Sequence, residues 1–276
     1  MNVQLSPRLG RATLALGAAG LLAIGSFSSV YAADPTTGTA GTTANTTTAA
    51  ATHRFCIPEW AAVVAHPGSV DLLRAAGDCE INRRFVTLDE LTDLVNHSDV
   101  LTAAHQADLI GANPGNPTSF VAERAGLTTL KASIDADTTI ASLRTDIGKI
   151  APDFRVYLVV VPKTHLVAAA DGAAKVSARF VPLATELQNL INQAKADGKD
   201  VTKAQAALDD MKAKVGQANG LIAPVAASLL TLSAADWNNG TAGPVIKQAR
   251  QALHSARALL RDARQDAHQV IVLLGS

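Results

Sequence analysis

Apolar residues recur along this chain in steps of three and four, and the pattern is cleanest in its C-terminal half. Leu166, Ala169, Ala173, Val176, Phe180, Leu183, Leu187, Leu190 and Ala194 alternate the two steps without a slip. So do Ala204, Leu208, Met211, Val215, Ala218, Ile222, Val225 and Leu229, and again Ala249, Leu253, Ala256, Leu260, Ala263, Ala267, Val270 and Leu274. On a helix of 3.6 residues per turn that spacing gathers the apolar side chains onto one stripe, which must be buried against a neighbour. Three stripes joined by short connections predict antiparallel neighbours. The expected architecture over 162–276 is therefore an antiparallel three-helix coiled-coil-like bundle. Its first helix, over 162–197, would be about 54 Å long at 1.5 Å per residue.

The breaks between stripes carry helix-end chemistry. Gly198 can take the left-handed conformation that closes a helix. Thr202 with Gln205 forms a capping-box pattern at the next start. Thr241 is placed to cap the last helix, with Pro244 in its first turn. Pro182 and Pro224 fall inside stripes, where each removes a backbone donor, so bends or breaks are expected there.

Over 54–161 the pattern is less regular and predicts a smaller helical region. Ile81, Phe85, Leu88, Leu91 and Val95 mark one helix. Asn116-Pro117 reads as the cap and first turn of another that turns Phe120, Leu127, Leu130 and Ile134 inward. Asp137 reads as the cap of a third stripe, Ile140, Leu143, Ile147, Ile150 and Phe154, with Pro152 inside it. Residues 156–161 (VYLVVV) have strong strand propensity. With no second strand-like run to pair with, a buried helical or extended connector is the better expectation. The fold class is all-α.

The first residues differ in kind. Arg8 and Arg11 form a basic segment, residues 12–24 an uncharged apolar run, and Val30-Tyr31-Ala32 a small-residue cleavage pattern. Together they read as a signal peptide over 1–32, cleaved after Ala32. The apolar run is shorter than the roughly 20 residues that span a bilayer, so no transmembrane segment is expected in the mature chain. Residues 33–53 (with DPTTGTAGTTANTTTAAAT over 34–52) are almost wholly Thr, Ala and Gly, too apolar-poor to offset ordering entropy, and read as a disordered, unmodified tether. The expected location is secreted or associated with the cell envelope.

Charge and cysteines sharpen that picture. Without residues 1–32 the chain carries 22 Lys+Arg against 24 Asp+Glu. A near-neutral balance gives no reason to expect nucleic acid as a partner. Cys56 and Cys79 are the only cysteines. In an oxidising compartment they favour a single structural disulfide. Closing that loop is worth roughly 3 kcal/mol on the chain-entropy model.

The strings RVYLVVVPKTHLVAAAD (155–171) and ADGKDVTKAQAALDDMKAKV (196–215) resemble a group of uncharacterised exported helical proteins of actinobacteria. The resemblance covers roughly 80–274, is loose toward the N-terminus, and this chain departs from it by Pro152 and by the segment 113–117. It implies a helical, exported protein and carries over no reaction and no site residues.

Candidate chemistry is sparse. The seven histidines form no ligand set, and no metal site, cofactor, nucleophile elbow, phosphate-cradling loop or HExxH motif is expected. A hydrolase would need carboxylates from separate segments to meet in the fold, and nothing in the spacing calls for that. One pattern stands out. Lys247, Arg250, His254, Arg257, Arg261, Arg264 and His268 repeat the same three-and-four spacing, mostly one residue after a core position of the last helix. They form a basic stripe suited to a polyanion, such as an anionic cell-wall polymer, or to an acidic protein. The plainer expectation is a solvated flank whose charges pair with acids such as Asp262 and Asp266. The chain thus reads as a non-enzymatic structural or interaction protein, with adhesion through the stripe as the alternative.

Overall fold

The computed structural model describes residues 56–112 and 119–275; the expected signal peptide and Thr-rich tether lie outside them. Among the described residues every regular element is helical. Helix α1 (Ile57–Ala65) leads into α2 (Val70–Asn96), then α3 (Ala103–Ile110), α4 (Phe120–Ala136), α5 (Ile140–Ile147) and α6 (Ile150–Phe154). A π-helical turn (Val156–Val160) follows, and then the long helices: α7 (Val161–Ala178), α8 (Phe180–Ala196), α9 (Thr202–Leu230) and α11 (Ala242–Gly275), with short α10 (Ala234–Asn238) between the last two.

The apolar stripes do what their spacing requires. Leu187, Leu208, Met211, Leu253 and Leu260 are all buried in one continuous core. Cross-helix bonds fix the directions. The Lys214 ammonium of α9 meets Asp266 of α11 at 2.7 Å, and Lys199, just before α9, donates to the Leu274 carbonyl near the end of α11. The start of α9 therefore lies by the end of α11. In the same way Gln188 of α8 donates to Gln205 of α9 at 2.8 Å. Neighbouring helices run in opposite senses.

Helix ends follow backbone chemistry, not always at the expected residues. Gly198 is left-handed (φ +81), and the Gly198 and Lys199 amides return to the Lys195 and Ala194 carbonyls, closing α8. At α9, however, Thr202 is the first helical residue and not the cap; Asp200 accepts from its amide at 2.9 Å, and Gln205 reaches sideways to Gln188 and Asp209. Thr139, not Asp137, caps α5, because Asp137 is taken up in ending α4. Ser119 caps α4, accepting from the Ala122 amide; Asn116 and Pro117 lie outside the described residues. The connection over 233–243 holds α10, opened by a reciprocal cap between Ser233 and Asp236. Thr241 precedes the last helix, and its hydroxyl donates to the Asp236 carbonyl.

The prolines separate into two outcomes. The expected single helix over 162–197 is two: α7 ends at Ala178, the residue four before Pro182, where the ring excludes the normal carbonyl–amide bond. Pro224 interrupts nothing, and α9 runs continuously through it. The strand-prone segment is helical. Arg155, the one non-glycine residue with positive φ among those described (φ 29), starts the π-turn, and its carbonyl accepts from the Leu158 and Val159 amides. Its guanidinium donates to Asn238, which in turn donates to the Pro152 carbonyl, so α10 braces the entry to the long helices. With three neighbouring branched residues buried (Val156, Val159, Val160), tertiary packing overrides strand propensity.

Candidate functional site

The basic stripe can be built from α11 upward. Ile246, Ala249, Leu253, Ala256, Leu260, Ala263 and Ala267 are buried, and each residue one step later is turned about 100° from the core. Lys247, Arg250, His254, Arg261, Arg264 and His268 are accordingly exposed, while Arg257 is half-buried. From Lys247 to His268 the row runs about 32 Å along the helix. Among the described residues, the side chains of Lys247, Arg250, His254, Arg261, Arg264 and His268 enter no ion pair and no hydrogen bond. Of the expected neutralising acids, Asp266 is engaged elsewhere, held by Lys214 on the opposite flank, and the exposed Asp262 forms no ion pair with the six exposed stripe residues.

Cations of the N-terminal helices behave differently. Arg83 and Arg84 share Glu80, Arg124 pairs with Asp89, Lys131 with Asp78 and Asp135, and Lys149 with Asp146. Arg83 and Arg84 also stand over the Tyr157 ring, at 4.9 and 5.4 Å from its centroid. Those charges are spent on holding the fold. Those of the stripe, Arg257 apart, are not.

A second group of polar side chains is buried, and sequence reasoning missed it. Helix α7 carries Lys163, Thr164, Asp171 and Ser177 inside the protein. Lys163, 1% exposed, donates to the Leu232 carbonyl at 3.3 Å. Glu123 of α4 is also buried, and one of its carboxylate oxygens has no hydrogen-bond donor. Burial drives both groups toward neutrality: it pushes the Glu123 carboxyl up to about 7 and the Lys163 ammonium down to about 8. Each charge partly offsets the other's shift. Asp171 accepts from the Thr102 amide at 2.8 Å and from the His105 ring at 2.9 Å, and Lys175 donates to the Asp99 carbonyl. These bonds dock the segment around α3 onto α7. The signal for them lay in charged residues set within the apolar run over 155–171.

The remaining histidines do separate work. His97 bonds the Asp93 carbonyl through its ring, and burial lowers the His165 pKa. Neither joins a ligand set. The Cys56 and Cys79 sulfurs lie at disulfide bonding distance, 2.12 Å, with Cα atoms 5.9 Å apart. Glu59 belongs beside them: one ligand atom from each of Cys56, Glu59 and Cys79 falls within 4.8 Å of the others. A Cys-x-x-Glu spacing on the first turn of α1 was the available signal, since residues three apart share a helix face.

Compared with known proteins, the chain matches no family model, no curated sequence and no solved structure.

Proposed function

We propose that this is an exported, non-enzymatic interaction protein of the cell envelope, whose long helices form a three-helix coiled-coil-like rod. The rod over 162–276 presents the α11 stripe to a polyanion, with an anionic cell-wall polymer as the partner class and an acidic protein as the alternative. The signal peptide over 1–32 and the tether over 33–53 would place the rod outside the membrane at some distance from the point of export.

One observation carries this reading: six cationic or protonatable side chains along one helix, none of them in an ion pair or hydrogen bond among the described residues, whereas Arg74, Arg83, Arg84, Arg124, Lys131, Lys149 and Lys214 elsewhere are all ion-paired. Unpaired like charges repel one another along a helix, which destabilises it slightly. A repeating anion removes that repulsion and gains several contacts at once.

Long-chain polyphosphate is a suitable probe. The full chain should bind it at about 50 mM salt and release it as salt rises past about 300 mM, where screening lengths fall below the spacing of the charges. Arg250→Gln, Arg261→Gln and Arg264→Gln together should weaken binding at least ten-fold and leave helicity unchanged. Salt-independent binding, or a triple variant that binds as tightly as the parent, removes the stripe from the function.

A further inference from the structure

Glu59 poses a problem that the disulfide alone does not solve. It sits on the first turn of α1, its Oε2 atom is buried without a hydrogen-bond donor among the described residues, and one of its carboxylate oxygens lies within 4.8 Å of the Cys56 and Cys79 sulfurs. A buried carboxylate oxygen left unsatisfied is unfavourable, and a cation is one group that satisfies it.

We propose that Cys56, Glu59 and Cys79 form a three-ligand site for a thiophilic divalent cation of the zinc class when the Cys56–Cys79 disulfide is reduced. The geometry is close to what such an ion needs. Tetrahedral coordination with Zn–S bonds of about 2.3 Å and a Zn–O bond of about 2.1 Å puts the two sulfurs about 3.8 Å apart and the oxygen about 3.5 Å from each. The three donors already lie within 4.8 Å of one another, so opening the S–S bond leaves them a modest adjustment. Helix α1 can supply it, because it packs chiefly on α2 and keeps Ile57, Trp60 and Val64 exposed. Two thiolates and one carboxylate favour zinc over calcium or magnesium, which take all-oxygen shells. The fourth position would hold water.

The chemistry balances. A thiol or phosphine reductant supplies two electrons that break the S–S bond, and two protons from solvent complete the thiols. Binding M²⁺ then displaces both thiol protons, leaving a site of net charge −1 with the carboxylate. A disulfide oxidant reverses the sequence: it takes the two electrons and two protons to become two thiols, the Cys56 and Cys79 sulfurs rejoin, and the metal leaves as M²⁺. The segment is thus either cross-linked or metal-clipped, and both states tie α1 to α2.

Cobalt(II) reports on the site through its thiolate charge-transfer absorption. The full chain, reduced with a phosphine under anaerobic conditions and desalted, should bind one equivalent of Co²⁺ with that absorption, and zinc should displace it. The oxidised chain and the Cys56→Ser/Cys79→Ser variant should show no such band. Glu59→Gln should retain a thiolate signal but bind about ten-fold or more weakly, with altered visible bands. Reduced chain that takes up no Co²⁺ at tens of micromolar, whether or not α1 keeps its helicity by circular dichroism, overturns the site. Glu59→Gln that binds as tightly and with the same spectrum overturns the three-ligand assignment.

Discussion

The two halves of this protein share one apolar core but differ in how much polar bonding is added to it. Helices α9 and α11 meet along Leu208, Met211, Val215, Leu253, Ala256 and Leu260, all buried, so the C-terminal region is sustained by apolar area removed from water. The N-terminal helices are shorter and more often end in polar ties: Asp171 to Thr102 and His105, Lys175 to Asp99, Arg74 to the Ile134 and Asp137 carbonyls. Apolar burial is non-directional and tolerates sliding, whereas hydrogen bonds to buried charges set one register. The longest helices, α9 and α11, rest chiefly on the first; the short helices α3, α5 and α6 add the second to stay in place against α2, α4 and α7. Helix α7 belongs to both, with Leu166, Val167 and Ala173 in the core, Lys163 bonded to the Leu232 carbonyl, and Asp171 tied to Thr102 and His105.

That contrast can be broken most severely at the shared helix. Lys163→Met should cost about 3 to 5 kcal/mol in urea unfolding, since it leaves Glu123 buried without its opposite charge. Replacing both members, Glu123→Gln with Lys163→Met, should recover most of that loss. Equal destabilisation of the single and double variants would show that the two groups act independently.

Leu260→Ala and Leu208→Ala should each cost about 3 kcal/mol and lower the thermal midpoint of the whole chain, because each opens a cavity at a site with almost no exposure. A drop below about 1 kcal/mol would mean that the long helices repack freely.

The Glu123–Lys163 pair also makes a pH signature. The folded Glu123 pKa is raised from 4.5 to about 7, so the unfolded chain releases that proton first and stability falls as pH rises from 4.5 to 7. The folded Lys163 pKa is lowered from 10.5 to about 8, so stability recovers as pH rises from 8 to 10.5. Relative to the double variant, the parent should be least stable between pH 7 and 8, by about 3 kcal/mol against pH 4.5. A flat difference across that range would refute the burial of the pair.

Asp171→Asn should cost about 2 kcal/mol and act locally, raising amide exchange around Thr102 and α3 before α9 or α11 respond. Uniform exchange across both regions would remove the distinction drawn between them. Smallest of all, Arg261→Gln should change stability by less than about 0.5 kcal/mol, since its side chain is exposed and engages nothing. A larger loss would mean that the stripe serves the fold.

Much of the fold was readable because its causes are local. The three C-terminal stripes, the left-handed Gly198 and the inward faces of α2 and α4 all follow from residues within a turn or two of one another. The failures share a cause as well. Thr202 looked like a cap until Asp200 took the role, and Asp137 was spent on the preceding helix, because several residues competed for the same few orphan donors. The split at Arg179 and the unbroken passage through Pro224 come from the same residue type in different packing. Of the candidate site, the exposure of six of the seven stripe residues was legible, Arg257 being half-buried, but the absence of ion pairs at those six was not. Asp266 stood near enough in sequence to neutralise the stripe, and only the direction of its side chain, toward Lys214, decided otherwise.

What the amino-acid order determined alone was therefore the helical class, the buried faces and the row of cations, since each depends on a period of 3.6 residues and nothing more distant. What tertiary structure decided was which charges meet. Lys163 and Glu123 are 40 positions apart, and Glu59 finds Cys79 from 20 positions away. Those pairings depend on how whole helices cross, and no spacing within one helix encodes them.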